Sequence, residues 1–278
     1  MSGFSPEWLA LREPADHAAR DPRLVAEVAR RFAGNTSLAV VDLGCGAGSN
    51  LRGMAAHLPD KQAWTLVDHD AGLLVAARAA LRAWADEARD EGDALVLAAS
   101  GKQLSVTFRQ ADLSGDVGPV LTPEPGLVTA AALFDLVSER WLRRFTATLA
   151  ERRLPLYTVL IYDGLERWQP PHPLDEAILA AFHAHQATDK GFGVASGPHA
   201  SGQLAASFAK LGYRVRSGDS PWRLGPDQRA LIGELANGIA RAAAETGRIP
   251  PADTAAWAQA RMDATAEIGH RDIFAEPD

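Results

Sequence analysis

The stretch Val40-Val-Asp-Leu-Gly-Cys-Gly-Ala-Gly-Ser49 decides the fold. An apolar run from Leu38 to Leu43 meets glycines at 44, 46 and 48, and a helical segment follows from about Ser49 to His57. Glycines at this spacing turn the chain sharply between a buried strand and a helix. They also remove side chains where a ligand approaches the backbone. The spacing is G-x-G-x-G. A dinucleotide fingerprint needs glycine where Ser49 stands, and a phosphate-cradling P-loop needs a lysine that is missing here. Asp42, two residues before the first glycine, suits a cation or an ammonium group better than a pyrophosphate.

Outward from this loop, short apolar runs alternate with helical segments. The sequence predicts helices from Pro6 and from Pro22, the second with Leu24, Val25, Val28 and Phe32 on one face. Strands follow at 64–67 and, as a hairpin around Ser100-Gly101, at 94–99 and 104–110. Others are expected at 127–133, at 156–162 (closed by Asp163-Gly164), at 213–217 and at 267–274. Helices are expected at 71–88, 138–150, 175–187, 201–211, 227–245 and 252–264. Strands too apolar to alternate, separated by helices, imply an α/β, doubly wound, mostly parallel sheet with helices on both faces. The domain reading is a helical cap over residues 1–36 and a larger unit over 37–278. The larger unit carries an insertion at 165–200 and helices at 227–264 before its last strand.

Three acids sit at successive strand tips. Asp42 ends the first strand; Asp68, 20 residues past Gly48, ends the second; Asp112 follows the third. A carboxylate at the second tip can accept both hydroxyls of a ribose, and one at the third can accept from an exocyclic amine. Asp70 reads as the cap of the helix behind it. Together the acids describe a pocket for a positively charged nucleoside.

The residues Val-Asp42-Leu-Gly44-Cys45-Gly46-Ala-Gly48, Leu-Val-Asp68-His69-Asp70 and Gln-Ala-Asp112-Leu113 resemble the class I S-adenosylmethionine-dependent methyltransferases over residues 38–165. The resemblance implies a seven-stranded sheet with its last strand antiparallel and S-adenosylmethionine as cofactor. It implies that Asp42, Gly44, Cys45, Gly46 and Gly48 underlie the methionine part, that Asp68 takes the ribose, and that His69, Asp112 and Leu113 border the adenine. Leu133, Phe134 and Asp135 would lie near the transferred methyl. Cys45 itself reads as a small buried filler, with no basic neighbour in sequence to activate its thiol.

The expected activity is methyl transfer to a small-molecule acceptor, through an oxygen or nitrogen nucleophile. A hydroxyl acceptor needs a base. His172, His183, His185 and His199 all fall in the insertion. His185 is the candidate, because Asp189 stands one helical turn on and can orient its ring. His183 and His185 are about 200° apart around a helix, so they do not form a metal pair. Asp135 is the second candidate, and no metal is expected. Arg12, Asp16 and Arg20 recur at i, i+4 and place the first helix over the cofactor's carboxylate. The Gly-rich run 189–198 reads as a lid over the acceptor.

The chain has 278 residues, 47% of them hydrophobic, with 28 basic and 35 acidic side chains and a formal charge of −7. That balance disfavours a nucleic-acid partner. So does the segment Leu133-Phe-Asp-Leu136, where exocyclic amine methylases carry Asn/Asp-Pro-Pro-aromatic. The single Cys45 fits a reducing compartment. No apolar run reaches the roughly 18 residues of a membrane helix, and the opening residues lack a basic-then-apolar leader. A cytoplasmic protein free of the membrane is expected, with a homodimer left open. Two other readings stand beside the enzyme: a non-catalytic module that binds S-adenosylmethionine, and a nicotinamide-dependent oxidoreductase.

Overall fold

The computed structural model describes residues 4–278; residues 1–3 of the expected cap lie outside the described residues. Helices α1 (Pro6–Ala19) and α2 (Pro22–Phe32) open the chain, each with proline in its first turn and an N-cap side chain, Ser5 or Asp21. The sheet then builds from β1 (Ser37–Leu43), β2 (Lys61–Asp68), β3 (Glu87–Glu91), β4 (Ala94–Ala99) and β5 (Lys102–Gln110). It continues with β6 (Leu127–Ala131), β7 (Leu156–Gln169), β8 (Tyr213–Asp219), β9 (Trp222–Leu224) and β10 (Thr265–Pro277). Between them run α3 (Ser49–Met54), α4 (Ala71–Trp84), α5 (Glu139–Glu151), α6 (Asp175–Gln186), α7 (Ala200–Lys210), α8 (Arg229–Glu245) and α9 (Pro251–Arg261).

The sheet order is β3-β4-β5-β2-β1-β6-β7-β10-β8, with β9 paired to β10. The central pairs β5·β2, β2·β1, β1·β6 and β6·β7 are parallel, and β10 runs antiparallel to β7, β8 and β9. Apolar side chains fill the space on both faces. Val40, Leu66, Trp64 and Val106 pack with α2 and α4 on one side, and Val41, Val67, Val128 and Ile161 with α5 and α7 on the other. That two-sided burial explains why the central strands read as unbroken apolar runs.

Among the described residues, ten strands replace the seven expected. Seven of them form the path from β5 to β8, and the additions are β3, β4 and β9. The hairpin β4–β5 was expected, but β3 was not, and its first two residues, Glu87 and Ala88, read in the sequence as the end of a helix. α4 stops at Trp84, and Glu87–Glu91 turns back at Gly92 to pair antiparallel with β4. Backbone pairing along an open sheet edge overrides the helical composition of this fully exposed stretch.

β7 also runs beyond its expected end. Asp163-Gly164 forms a bulge rather than a stop: residues 163–165 stand opposite the single Gly269, and pairing resumes from Glu166 with Ile268 to Gln169 with Thr265. The ribbon of β7 and β10 thereby extends past the sheet and carries the 165–187 and 222–264 segments as one layer, with Trp168 edge-on to Trp257 at 5.5 Å.

Candidate functional site

The loop after β1 is built as its sequence demands. Gly44, Gly46 and Gly48 all take positive φ. At Gly46, φ is +52°, which favours glycine, and a Cβ would stand 3.0 Å from Leu9 Cδ1 of α1, so the first helix roofs the loop. Leu133, just past β6, closes on the same loop, 3.3 Å from where a Cβ of Gly44 would be.

The acids at the strand tips differ from one another. Asp68 is nearly buried, and its two oxygens accept from the Gly46 amide at 2.9 Å and the Asp70 amide at 3.0 Å. The exposed His69 sets Nδ1 3.3 Å from Asp68 Oδ1. Asp42 is fully buried; its Oδ1 accepts from Asn50 Nδ2 at 2.7 Å and Thr129 Oγ1 at 2.8 Å, and its Oδ2 has no partner. Burial pushes its carboxyl up to about 6. Arg20 joins this group by donating from Nη2 to Asn50 Oδ1 at 3.0 Å, while its buried Nε and Nη1 have no partner. Asp112 is exposed and accepts from the Ser114 amide at 2.8 Å, a turn contact that holds its carboxyl below the usual range. The Leu113 carbonyl accepts from Trp141 Nε1 at 2.7 Å. Cys45 is buried, and burial raises its thiol well above the ordinary value. Asp70 caps α4 through the Gly72 and Leu73 amides.

On the acceptor side, Asp135 follows Leu133 in a single 3₁₀ turn. Its Oδ1 is enclosed without a partner, it faces the backbone amide of Tyr162, and burial raises its carboxyl to about 6. Arg12 and Asp16 form the expected i, i+4 pair at 2.9 Å, but as a buried contact: Trp222 donates to Asp16 Oδ1 at 3.0 Å, and the Arg12 guanidinium lies 4.9 Å from the Trp222 ring. The expected His185–Asp189 pair does not form. α6 ends at Gln186, the Asp189 carboxylate accepts from the Gly191 and Gly193 amides, and His185 Nε2 pairs with the exposed Glu245 at 3.0 Å. The loop after α6 therefore folds on its own aspartate and leaves His185 facing α8.

No family model matches the sequence, and no curated protein is similar to it. Among solved structures the chain is similar to the YcgJ protein from Bacillus subtilis, at 11% identity and a TM-score of 0.51, over 93% of this chain and all of that one. It also matches a SAM-dependent methyltransferase from Geobacter sulfurreducens in complex with S-adenosyl-L-homocysteine (17%, all of both chains, TM-score 0.47). A third match is a cyclopropane-fatty-acyl-phospholipid synthase-like protein from Lactobacillus casei (15%, 94% and 91%, TM-score 0.48). The first likeness is one of fold, and the other two are too distant to argue from. With the strand order and the antiparallel β10, the architecture is settled. This is a Rossmann-like α/β fold with a mixed sheet.

Within that fold, the residues that sequence reading missed are on the β7 extension. Tyr162 and Glu166 were hidden by the bulge, since a strand thought to end at 162 gives no reason to pair residues four apart. His183 was weighed and passed over for its neighbour His185. Gly164, read in the sequence as the end of the strand, takes φ +92°, and a Cβ there would lie 3.5 Å from His183 Cε1.

Proposed function

We propose that the chain transfers the methyl group of S-adenosylmethionine to a small-molecule acceptor by in-line displacement. The reading is carried by Asp68, whose carboxylate holds the Gly46 amide and so makes the glycine loop and the strand-tip acid one unit. Each carboxylate oxygen has two lone pairs, so the amides of Gly46 and Asp70 leave one on each for ribose hydroxyls. Beneath the loop, the unpartnered Arg20 nitrogens and Asp42 Oδ2 offer a buried donor and a buried acceptor near one another. That pairing of opposite signs suits the carboxylate and ammonium of an amino-acid group. When bound, the cofactor supplies a methyl on cationic sulfur, whose C–S electron pair stays on sulfur as the acceptor bonds to carbon. Leu9 excludes water from the loop, and Leu133 and Asp135 form the edge from which an acceptor approaches. His69, Asp112 and Leu113 border the adenine in this reading, with Asp112 free to trade its turn contact for the exocyclic amine.

The experiment is thermal unfolding with and without ligand. S-adenosylhomocysteine at about 100 times its dissociation constant adds about 2.7 kcal/mol, a rise in Tm of several degrees for a chain of this size. NAD at the same concentration is expected to leave Tm unchanged. The opposite pattern would favour the oxidoreductase reading.

A further inference from the structure

Beside the β6 tip, three side chains meet at one hydroxyl. Tyr162 Oη lies 3.0 Å from Glu166 Oε1 and 3.0 Å from His183 Nε2. Tyr162 is buried, and its ring meets Phe182, His183 and His270 edge-on at 5.9–6.2 Å. Glu166 also accepts from Trp168 Nε1 at 3.4 Å. The arrangement depends on the bulge, which folds Glu166 back over Tyr162, and on Gly164, where a Cβ would lie 2.9 Å from Pro198 and 3.5 Å from His183 Cε1.

A tyrosine hydroxyl has one proton to give. With Glu166 ionised, Tyr162 donates to Glu166 and accepts from His183 Nε2–H, so the lone pair of the histidine is at Nδ1. With Glu166 protonated, the order reverses: Glu166 donates to Tyr162, Tyr162 donates to Nε2, and Nδ1 carries the hydrogen. The series therefore sets which nitrogen of His183 can act as a base.

We infer that Glu166, Tyr162 and His183 form a proton relay that deprotonates the acceptor, and that the acceptor is a hydroxyl compound, an alcohol or a phenol. This rests on the methyltransferase reading. As the acceptor oxygen bonds to the methyl carbon, its proton passes to His183 Nδ1. The Nε2 proton then moves to Tyr162, and the Tyr162 proton moves to Glu166. An amine free at neutral pH attacks without such a base, whereas a hydroxyl does not. His183 is the catalytic residue; Tyr162 and Glu166 are positioning residues that act through it.

The groups facing this series fix the direction of its pH response. Burial raises Glu166 to about 7, with Asp175 adding to the rise and the Tyr162 and Trp168 donors opposing it. Burial and the nearby His199 lower His183, against the Gly164 carbonyl. Burial, Glu166, Asp163 and Asp135 raise Tyr162. Buried His270, held down to about 3, stays neutral beside the Tyr162 ring. The base-competent form thus appears as pH rises through about 7.

The test has two readouts. In the intact protein with ¹⁵N-histidine, His183 is expected to change from the Nδ1–H to the Nε2–H tautomer between pH 6 and 8, and not to change in Glu166→Gln. A single tautomer across that range in the wild type overturns the relay. Transfer is read with S-adenosylmethionine labelled in its methyl group and a deproteinised metabolite extract of the source cells. His183→Asn is expected to lower labelled product about 100-fold, the range of a general base, with S-adenosylhomocysteine affinity kept. Glu166→Gln is expected to move the acid limb of the rate profile below 7. A His183→Asn rate within threefold of wild type, or label recovered in an amine, overturns the inference and leaves the methyltransferase reading standing. A wild type that does not bind S-adenosylhomocysteine overturns that reading instead, while the tautomer measurement still reports on the hydrogen-bond series.

Discussion

Replacing Asp68 with alanine is expected to weaken S-adenosylhomocysteine binding about 5- to 150-fold, the equivalent of about 1–3 kcal/mol for unpairing buried polar groups. Two effects add. The Gly46 and Asp70 amides lose their acceptor, so the loop that shapes the site is no longer tied to the β2 tip. The ribose hydroxyls lose theirs as well. Asp68→Asn keeps one acceptor oxygen and is expected to fall between alanine and wild type. Calorimetry with S-adenosylhomocysteine measures the ratio, and a far-ultraviolet melt of each variant separates lost binding from lost folding. An alanine variant that binds as tightly as wild type would remove Asp68 from the site.

The second large effect is on stability and comes from Asp272. This residue is fully buried on β10, and its two oxygens accept from the Asp21 amide at the start of α2 and from the Leu160 amide on β7, each at 2.9 Å. Leu160 has φ +60° at a second bulge, where Val159 and Leu160 of β7 stand opposite the single Asp272 of β10. Asp272 thus ties the cap helix to an irregular strand at a place where no ladder bond can serve. Asp272→Ala leaves two buried N–H groups without acceptors, at about 1–3 kcal/mol each. A total near 4 kcal/mol corresponds to a fall in Tm of roughly 10 °C for a chain of this length. Differential scanning calorimetry checks it, and a fall of less than 2 °C would show that the two amides find other partners.

These two residues mark what could be read from the sequence. Asp68 was legible because it stands at a fixed distance from a glycine loop after an apolar run, a local pattern that the fold preserves. Asp272 gave no such signal: its partners lie 251 and 112 positions away. The same division holds for the sheet. The apolar strands β1, β2, β6 and the first half of β7 declared themselves by burial on both faces. β3 did not, because an exposed edge strand carries no apolar period, and Asp163-Gly164 looked like an end because bulges and turns use the same residues.

On the acceptor side, the i, i+4 logic was sound for Arg12 and Asp16 and failed for His185 and Asp189. The first pair lies inside a helix of 14 residues, whereas the second straddles the end of α6 at Gln186, beyond which Asp189 holds its own loop. Choosing between His183 and His185 needed the path of β7 beyond Tyr162, which only the three-dimensional structure supplies.

The most direct test of the cationic-nucleoside pocket is a crystal structure with S-adenosylhomocysteine. The expected density lies against the glycine loop, with the ribose hydroxyls on Asp68 and the amino-acid end toward Arg20 and Asp42. Density for the ligand elsewhere, or a bare loop at saturating ligand, would contradict the account.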